Sequence, residues 1–372
     1  MATSGERGTS RDPLELERAL QGSADPDGFL PFDRFMEIAL YAPGLGYYDR
    51  PASPIGVSGD FFTAPQLHPV FAATLGAHIV QRLTELPADG PLRVVELGPG
   101  NGELTEGIVR EIARSPLADR GLDYLLVERS DARAHSALAR ARGALDGRGL
   151  RVRRTPSLGA EGPFEGVVVA HEFWDAQPAR RFRSAAPGWD ELGTRWQAGR
   201  FEEAARRLPP AEWPAGLPTD AEEGLVVEVA PQAEGSVRSV ADHLVRGRAI
   251  FIDYGGEQSE ILHTHRFGTL TAIRGHRVLP FPLEDPGKVD LSTYVNFSRI
   301  RAAAQRSGLR LVSDRTQAEA LVEWGLEEVK RRWEAAADAE SALRLHLAVK
   351  NLLFGFPHFR ALEFEGGRAE PR

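Results

Sequence analysis

Apolar positions along the chain switch repeatedly between two periods. Phe71, Leu75, Ile79 and Leu83 recur at helical spacing and predict an amphipathic helix. Leu92 to Leu97 is a short, nearly continuous apolar run, the pattern of a buried strand, and Gly102 to Ala113 returns to helical spacing. The same alternation continues with a strand over Asp123–Glu128, a helix over Asp131–Ala144, a shorter strand over Leu150–Arg154 and a valine-rich strand over Gly166–Ala170. Short apolar strands alternating with amphipathic helices predict a parallel sheet covered by helices on both faces.

The flanks read differently. Pro13 to about Leu40 is mostly helical in pattern and is followed by the Gly/Pro-rich break Ala42–Tyr48; Thr63 and Gln66 predict a capping box that opens the next helix. The stretch 184–224 interrupts the alternation with Trp189, Trp196 and Phe201, followed by Pro209, Pro210, Pro214 and Pro218, and predicts a small β-rich insertion. Alternation resumes with a helix near Ser236–Leu244 and a strand over Ala249–Asp253, then a strand or hairpin arm over Gly268–Ile273. The end reads as helix from about Gln317 to Leu353 and strand over Arg360–Phe364. This divides the chain into an N-terminal helical cap and cofactor lid (1–88), the first part of a core (89–183), the insertion (184–224), and the remainder of the core with a helical tail (225–372).

Composition narrows the chemistry. None of the 372 residues is cysteine, which excludes a disulfide framework, thiolate metal sites and a cysteine nucleophile. The net charge of −8 argues against a protein that coats duplex nucleic acid. No apolar run approaches the length of a membrane span. Residues 1–12 carry no apolar signal region, and Glu6, Asp12, Glu15 and Glu17 come too early for a transit peptide, so a cytoplasmic protein is the expectation. Of the 45 basic residues only Lys288, Lys330 and Lys350 are lysine; the arginines are spread evenly, as a coding bias would leave them.

The strongest local signal is Val94 to Gly102, a strand that ends in Gly98, Gly100 and Gly102 and opens a helix. Such a turn lets backbone approach a ligand closely, with helix N–H groups aimed at it. The spacing Gly-x-Gly-x-Gly departs from the dinucleotide pattern, and Glu96, two residues before the first glycine, would repel a pyrophosphate. The ammonium and sulfonium of S-adenosylmethionine (SAM) tolerate that carboxylate, so SAM is favoured over NAD. Glu128, at the end of the next strand, is placed to accept hydrogen bonds from both ribose hydroxyls. The fold expected is α/β: a class I SAM-dependent methyltransferase, a Rossmann-like doubly wound sheet, with the N-terminal helical cap and an insertion after the fourth strand.

That fourth strand runs into Val169-Ala-His-Glu-Phe-Trp-Asp-Ala-Gln-Pro178, and ligands of open α/β sheets bind at the carboxyl ends of strands. Glu172 and Asp175, three apart at an expected helix start, can together hold a cationic acceptor such as guanidinium. His171 is a lesser candidate, as a general base.

In order along the chain, Gly44–Tyr48, Gly59–Pro65, Glu96–Gly102, His171–Pro178, Ile252–Gly255, Gly268–Leu270, Pro286-Gly287 and Asp290 resemble the motifs of the MidA family of SAM-dependent methyltransferases. Its mitochondrial branch includes a protein arginine methyltransferase acting in complex I assembly. The resemblance implies that Gly98, Gly100 and Glu128 hold SAM, that Gly59 and Asp60 help close over it, and that Glu172 and Asp175 lie near the acceptor. Asn101 departs from the family pattern, where a basic residue is common. A protein acceptor is preferred, arginine nitrogen first. An RNA or small-molecule acceptor, and a non-catalytic SAM-binding assembly factor, are the alternatives. Oligomeric state is open, a dimer included.

Two other signals are weaker. His263-Thr-His265 has a metal-compatible spacing but no completing ligand, so no metal is expected. Arginines 129, 133, 140, 142, 148, 151, 153 and 154 form a basic stretch without interleaved aromatics, read as a solvated helix face rather than an RNA surface.

Overall fold

The computed structural model describes residues 13–49, 64–87, 90–145 and 149–367. The predicted capping residue Thr63, and Gly59 and Asp60 with it, lie outside the described residues.

The core is an eight-stranded sheet. Seven of its strands are β1 (Leu92–Leu97), β2 (Asp123–Val127), β3 (Arg151–Thr155), β4 (Phe164–His171), β5 (Leu244–Gly256), β6 (Arg310–Thr316) and β7 (Phe359–Gly367). They lie in the order β6-β7-β5-β4-β1-β2-β3, and Val295–Asn296 adds a short pairing beside the end of β5. β3, β2, β1, β4 and β5 are parallel, and β7 runs antiparallel between β5 and β6.

Strand residues alternate between two cores, because successive side chains point to opposite faces. Val94, Val167, Val169, Ile250 and Ile252 face one core with helices α1 (Val70–Thr84), α2 (Glu103–Arg114) and α3 (Asp131–Ala144). Val95, Val168, Ala170, Ala249 and Phe251 face the other, with α4 (Pro231–His243) and α5 (Phe297–Arg306). Both faces are covered, which is why these strands read as apolar runs. The arrangement is the doubly wound α/β fold of class I methyltransferases.

Two flanking regions differ in detail from the sequence pattern. The N-terminal helical stretch is two helices, Pro13–Gly22 and Phe32–Tyr41. Their buried faces pack on Phe201 of a five-stranded antiparallel sheet built from Leu30–Pro31, Arg180–Ala185, Gly188–Gln197, Arg200–Arg207 and Val226–Val229. The tail is three helices, Gln317–Glu323, Leu326–Glu334 and Ala339–Phe354, broken where Gly325 takes φ +91 and where Asp338 caps the third. Trp324 stacks on His78 of α1, so it packs the tail against the core. Among the described residues, no helix is long and apolar enough to cross a membrane.

Candidate active site

The carboxyl ends of β1, β2 and β4 converge on a cavity of about 400 Å³, within the size range of small-molecule sites. Its floor is the β1–α2 turn. Gly98, Gly100 and Gly102 have φ of 66, 56 and 91, a region L side chains rarely adopt. Gly98 N–H donates to Val127 O, tying the turn to β2. Gly102 serves packing instead: a Cβ there would lie 2.5 Å from Ala137 Cα of α3.

Glu96 is buried beneath this turn. Its Oε2 accepts from Thr105 Oγ1 and Tyr124 OH, each at 2.7 Å, while its buried Oε1 has no hydrogen-bond partner. Burial pushes its pKa up to about 7 against the pull of those two hydroxyls. Glu128 follows β2 on the adjacent wall. Its Oε1 accepts the Ser130 N–H at the start of α3, and burial raises its pKa. Glu96 and Glu128 both line the cavity with Gly98 and Gly100.

At the end of β4 the cavity is lined by His171, Glu172 and Asp175. No helix starts here, contrary to the sequence expectation. The chain passes through a turn over residues 172–178 into the strand Arg180–Ala185, and Asp253 at the end of β5 takes the amides that a helix start would present. Asp253 Oδ2 accepts from the N–H groups of Phe173 (3.1 Å), Trp174 (2.8 Å) and Asp175 (3.4 Å). Glu172 sits at φ 48, a left-handed conformation that costs a non-glycine residue roughly 1–2 kcal/mol.

The electrostatics of this end are one-sided. Burial, then the nearby Asp175 and Asp253, hold the Glu172 pKa well above the carboxylate range. Asp175 is raised well above it as well, by burial and then by Asp253. Asp253 is pushed up by burial to about 7. Glu172 Oε1 and Asp175 Oδ1 are buried without hydrogen-bond partners. His171 Nε2 lies 3.4 Å from Glu172 Oε1, outside hydrogen-bond alignment. Burial lowers the His171 pKa to about 3, so the ring is neutral and packs edge-on to Phe71.

The sequence reading did not single out Asp253, Tyr41 or Tyr48 as site residues. Tyr41 and Tyr48 line the cavity from the N-terminal region; Tyr41 OH donates to Ala176 O and Tyr48 OH to Asp290 Oδ1. The signals were present as the strand-end Ile252-Asp-Tyr-Gly255 and the Gly44-Leu-Gly-Tyr-Tyr48 break, but neither reveals which strand ends it faces. Four arginines of the basic stretch are paired with carboxylates: Arg129 with Glu37, Arg140 with Glu103 and Glu106, Arg153 with Asp123 and Glu161, and Arg154 with Asp131. His263 is exposed and His265 packs at a tilt against Tyr294; among the described residues no cluster of three or more His, Cys, Asp or Glu can hold a metal.

A glycine-turn floor, an acid with an unpartnered buried oxygen below it and a second acid at the end of β2 fit a SAM molecule, whose ammonium and ribose hydroxyls need acceptors. Fold and site together define a class I SAM-dependent methyltransferase. The chain belongs to the family described as "Putative S-adenosyl-L-methionine-dependent methyltransferase", whose profile matches residues 74–313, and the MidA resemblance of its motifs holds.

Among curated relatives, the zebrafish (Danio rerio) protein arginine methyltransferase NDUFAF7, mitochondrial, is 27% identical, covering 73% of this chain and 67% of its own length. The Caenorhabditis elegans homologue is 23% identical over 85% of this chain and 78% of its own. A Burkholderia thailandensis protein crystallised with S-adenosyl-homocysteine is 34% identical, with a TM-score of 0.81, covering 100% of this chain and 96% of its own. These relatives overturn the cytoplasmic expectation, because the curated ones are named as mitochondrial proteins. The early acidic residues on which that expectation rested do not decide a compartment.

Proposed function

We propose that the protein methylates a protein acceptor at an arginine guanidinium nitrogen. The observation that carries this reading is the pair of buried, unpartnered oxygens, Glu172 Oε1 and Asp175 Oδ1, in a cavity end crowded with carboxyls. A guanidinium placed there relieves the like-charge repulsion and lets both groups ionise. Its planar fork matches carboxylate geometry. The names of the curated relatives support the same acceptor, at 23–27% identity.

In this reading Gly98, Gly100 and Gly102 shape the donor loop, Glu96 Oε1 receives the donor's ammonium, and Glu128 receives the ribose hydroxyls. Gly59 and Asp60 join the donor side on the family motif alone. When bound, SAM supplies an activated methyl group on a sulfonium. Glu172 and Asp175 orient the guanidinium, and one of them takes the proton that the nitrogen gives up as its bond to the methyl carbon forms and the carbon–sulfur bond breaks. His171, with its low pKa, is too weak a base for that proton and serves to keep the cavity dry. The pairing of the basic stretch supports a protein acceptor over RNA.

The test is transfer of radiolabelled methyl from SAM into a cell lysate, with protease and RNase digestion of the product and amino-acid analysis of the hydrolysate. Labelled methylarginine is expected. Label in nucleic acid or small molecules overturns the acceptor, and SAM binding without any labelled product makes the protein a non-catalytic SAM-binding factor. Glu172→Gln combined with Asp175→Asn is expected to spare SAM binding and abolish transfer.

A further inference from the structure

We propose that Asp253 is a positioning residue for methyl transfer: its carboxylate grips the turn after β4 so that the donor loop and the acceptor carboxyls are set by one group. The acceptor half rests on the reading of Glu172 and Asp175 above; the donor half does not.

Asp253 lies one residue beyond the last register pair between β5 and β4, Ile252 with His171, and is 2% exposed. Two successive residues of β5 grip two successive amides of the turn. Ile252 O accepts the Glu172 N–H at 2.9 Å, and Asp253 Oδ2 accepts the Phe173 N–H. Glu172 is thereby clamped on both sides at its φ of 48. A non-glycine residue keeps such a conformation only where its surroundings over-determine it. The clamp aims the Glu172 side chain into the cavity, where its Oε1 stays unpartnered. The same Asp253 oxygen also holds the Trp174 and Asp175 amides, which fixes the second acceptor carboxyl.

The donor side is reached through Phe173. Its ring lies against Gly98, where a Cβ would come within 2.8 Å of Phe173 Cδ2. Displacing the Phe173 backbone therefore moves the surface on which the donor loop rests. Asp253 touches neither donor nor acceptor; it acts through Phe173, Glu172 and Asp175. One carboxyl oxygen suits this task, since it can accept several amides at once and leaves none of these buried donors unpaired.

The experiment compares Asp253→Ala, which removes the grip, with Asp253→Asn, whose side-chain oxygen can still accept the same amides. Four readouts are taken: hydrogen exchange across residues 171–177, S-adenosyl-homocysteine affinity by calorimetry, and kcat and KM for the labelled acceptor. In Asp253→Ala, amide protection over 172–175 is expected to fall at least about tenfold and kcat about 10–100-fold, the range for buried amides left without a partner. S-adenosyl-homocysteine affinity is expected to weaken several-fold. Asp253→Asn is expected to recover protection and to hold kcat within about fivefold of wild type.

Unchanged protection and kcat in Asp253→Ala overturn the proposal. So does an Asp253→Asn variant as impaired as Asp253→Ala, which would show that charge rather than the grip matters. Should Asp253→Ala not fold, Asp253→Asn alone decides: loss of protection over 172–175 with unaltered kcat and affinity overturns the proposal, and retention of all three supports it. Absence of methylarginine from the wild-type product defeats the acceptor reading, while the exchange and affinity readouts still judge the grip.

Discussion

Gly98→Ala is the sharpest probe of how the β1–α2 turn is built. Gly98 has φ +66, where an alanine costs roughly 1–2 kcal/mol. Its new Cβ would also sit 2.8 Å from Phe173 Cδ2 and 3.5 Å from Cε2. Relieving that overlap moves the ring or the loop, at about 1–3 kcal/mol for an overpacked site. If the loop stays in place, the strain is common to free and bound protein, and stability falls while affinity does not. If the free loop escapes the strain, ligand must restore it, and affinity falls tenfold for each 1.4 kcal/mol regained. The stability of the S-adenosyl-homocysteine-saturated form contains both effects, so it drops by about 2–5 kcal/mol whichever route the loop takes. Urea unfolding with and without saturating ligand, alongside calorimetry, measures each part. A saturated-form loss below about 0.5 kcal/mol would refute the loop geometry and the Phe173 contact together.

Gly102→Ala strikes the α2–α3 contact, where the clash is with Ala137 Cα at 2.5 Å and no side-chain rotation relieves it; unfolding in urea should show a loss of about 2–5 kcal/mol, and a loss below about 1 would mean the two helices separate cheaply. Glu128→Ala should weaken S-adenosyl-homocysteine about 10–100-fold by calorimetry, with only about 1 kcal/mol of stability lost from the Ser130 N–H contact; an unchanged Kd would remove Glu128 from the donor site. Glu96 has its folded pKa raised to about 7 from an ordinary value of 4.5, so its contribution to stability is full below about pH 4.5 and is lost as pH rises to 7. That gap is worth about 3 kcal/mol, and Glu96→Gln, which keeps an acceptor for Thr105 and Tyr124, should flatten the pH dependence by that amount; equal slopes in the two proteins would sink the assignment.

The central sheet was legible because its strands are buried on both faces and its helices on one. Leu92–Leu97 and Asp131–Ala144 occupy the residues the pattern predicts. β6 escaped it for the opposite reason. Arg310–Thr316 is an edge strand whose residues are exposed or half-buried, with a register shift between Leu311 and Ser313, so no apolar alternation marks it. α5 carries a fair signal in Phe297, Ile300, Ala303 and Ala304 behind an Asn296 cap, but small alanines mute its apolar stripe. The break in the tail at Gly325 was visible as a residue and invisible as a conformation, since a glycine inside a helical pattern can be tolerated or can end the helix.

The site divides along the same line. Glycines and acids that act within one βα unit, such as Gly98, Gly102 and Glu96, follow from local spacing, because strand, turn and helix place them relative to each other. The end that carries Glu172 and Asp175 depends on which strands are neighbours. Asp253 is 78 residues from Asp175 in sequence and reaches it only because β5 lies beside β4 with Ile252 opposite His171. Tyr48 and Asp290, 242 residues apart, meet only through the tertiary fold. Local pattern also misled at this end: Glu172 and Asp175 three apart suggested a helix start, and the amides that such a helix would have left free are claimed by Asp253. A carboxylate on a neighbouring strand can thus replace a helix in organising a turn, and what it gains is a fixed, non-helical path that leaves the oxygens of Glu172 and Asp175 unpartnered in the cavity.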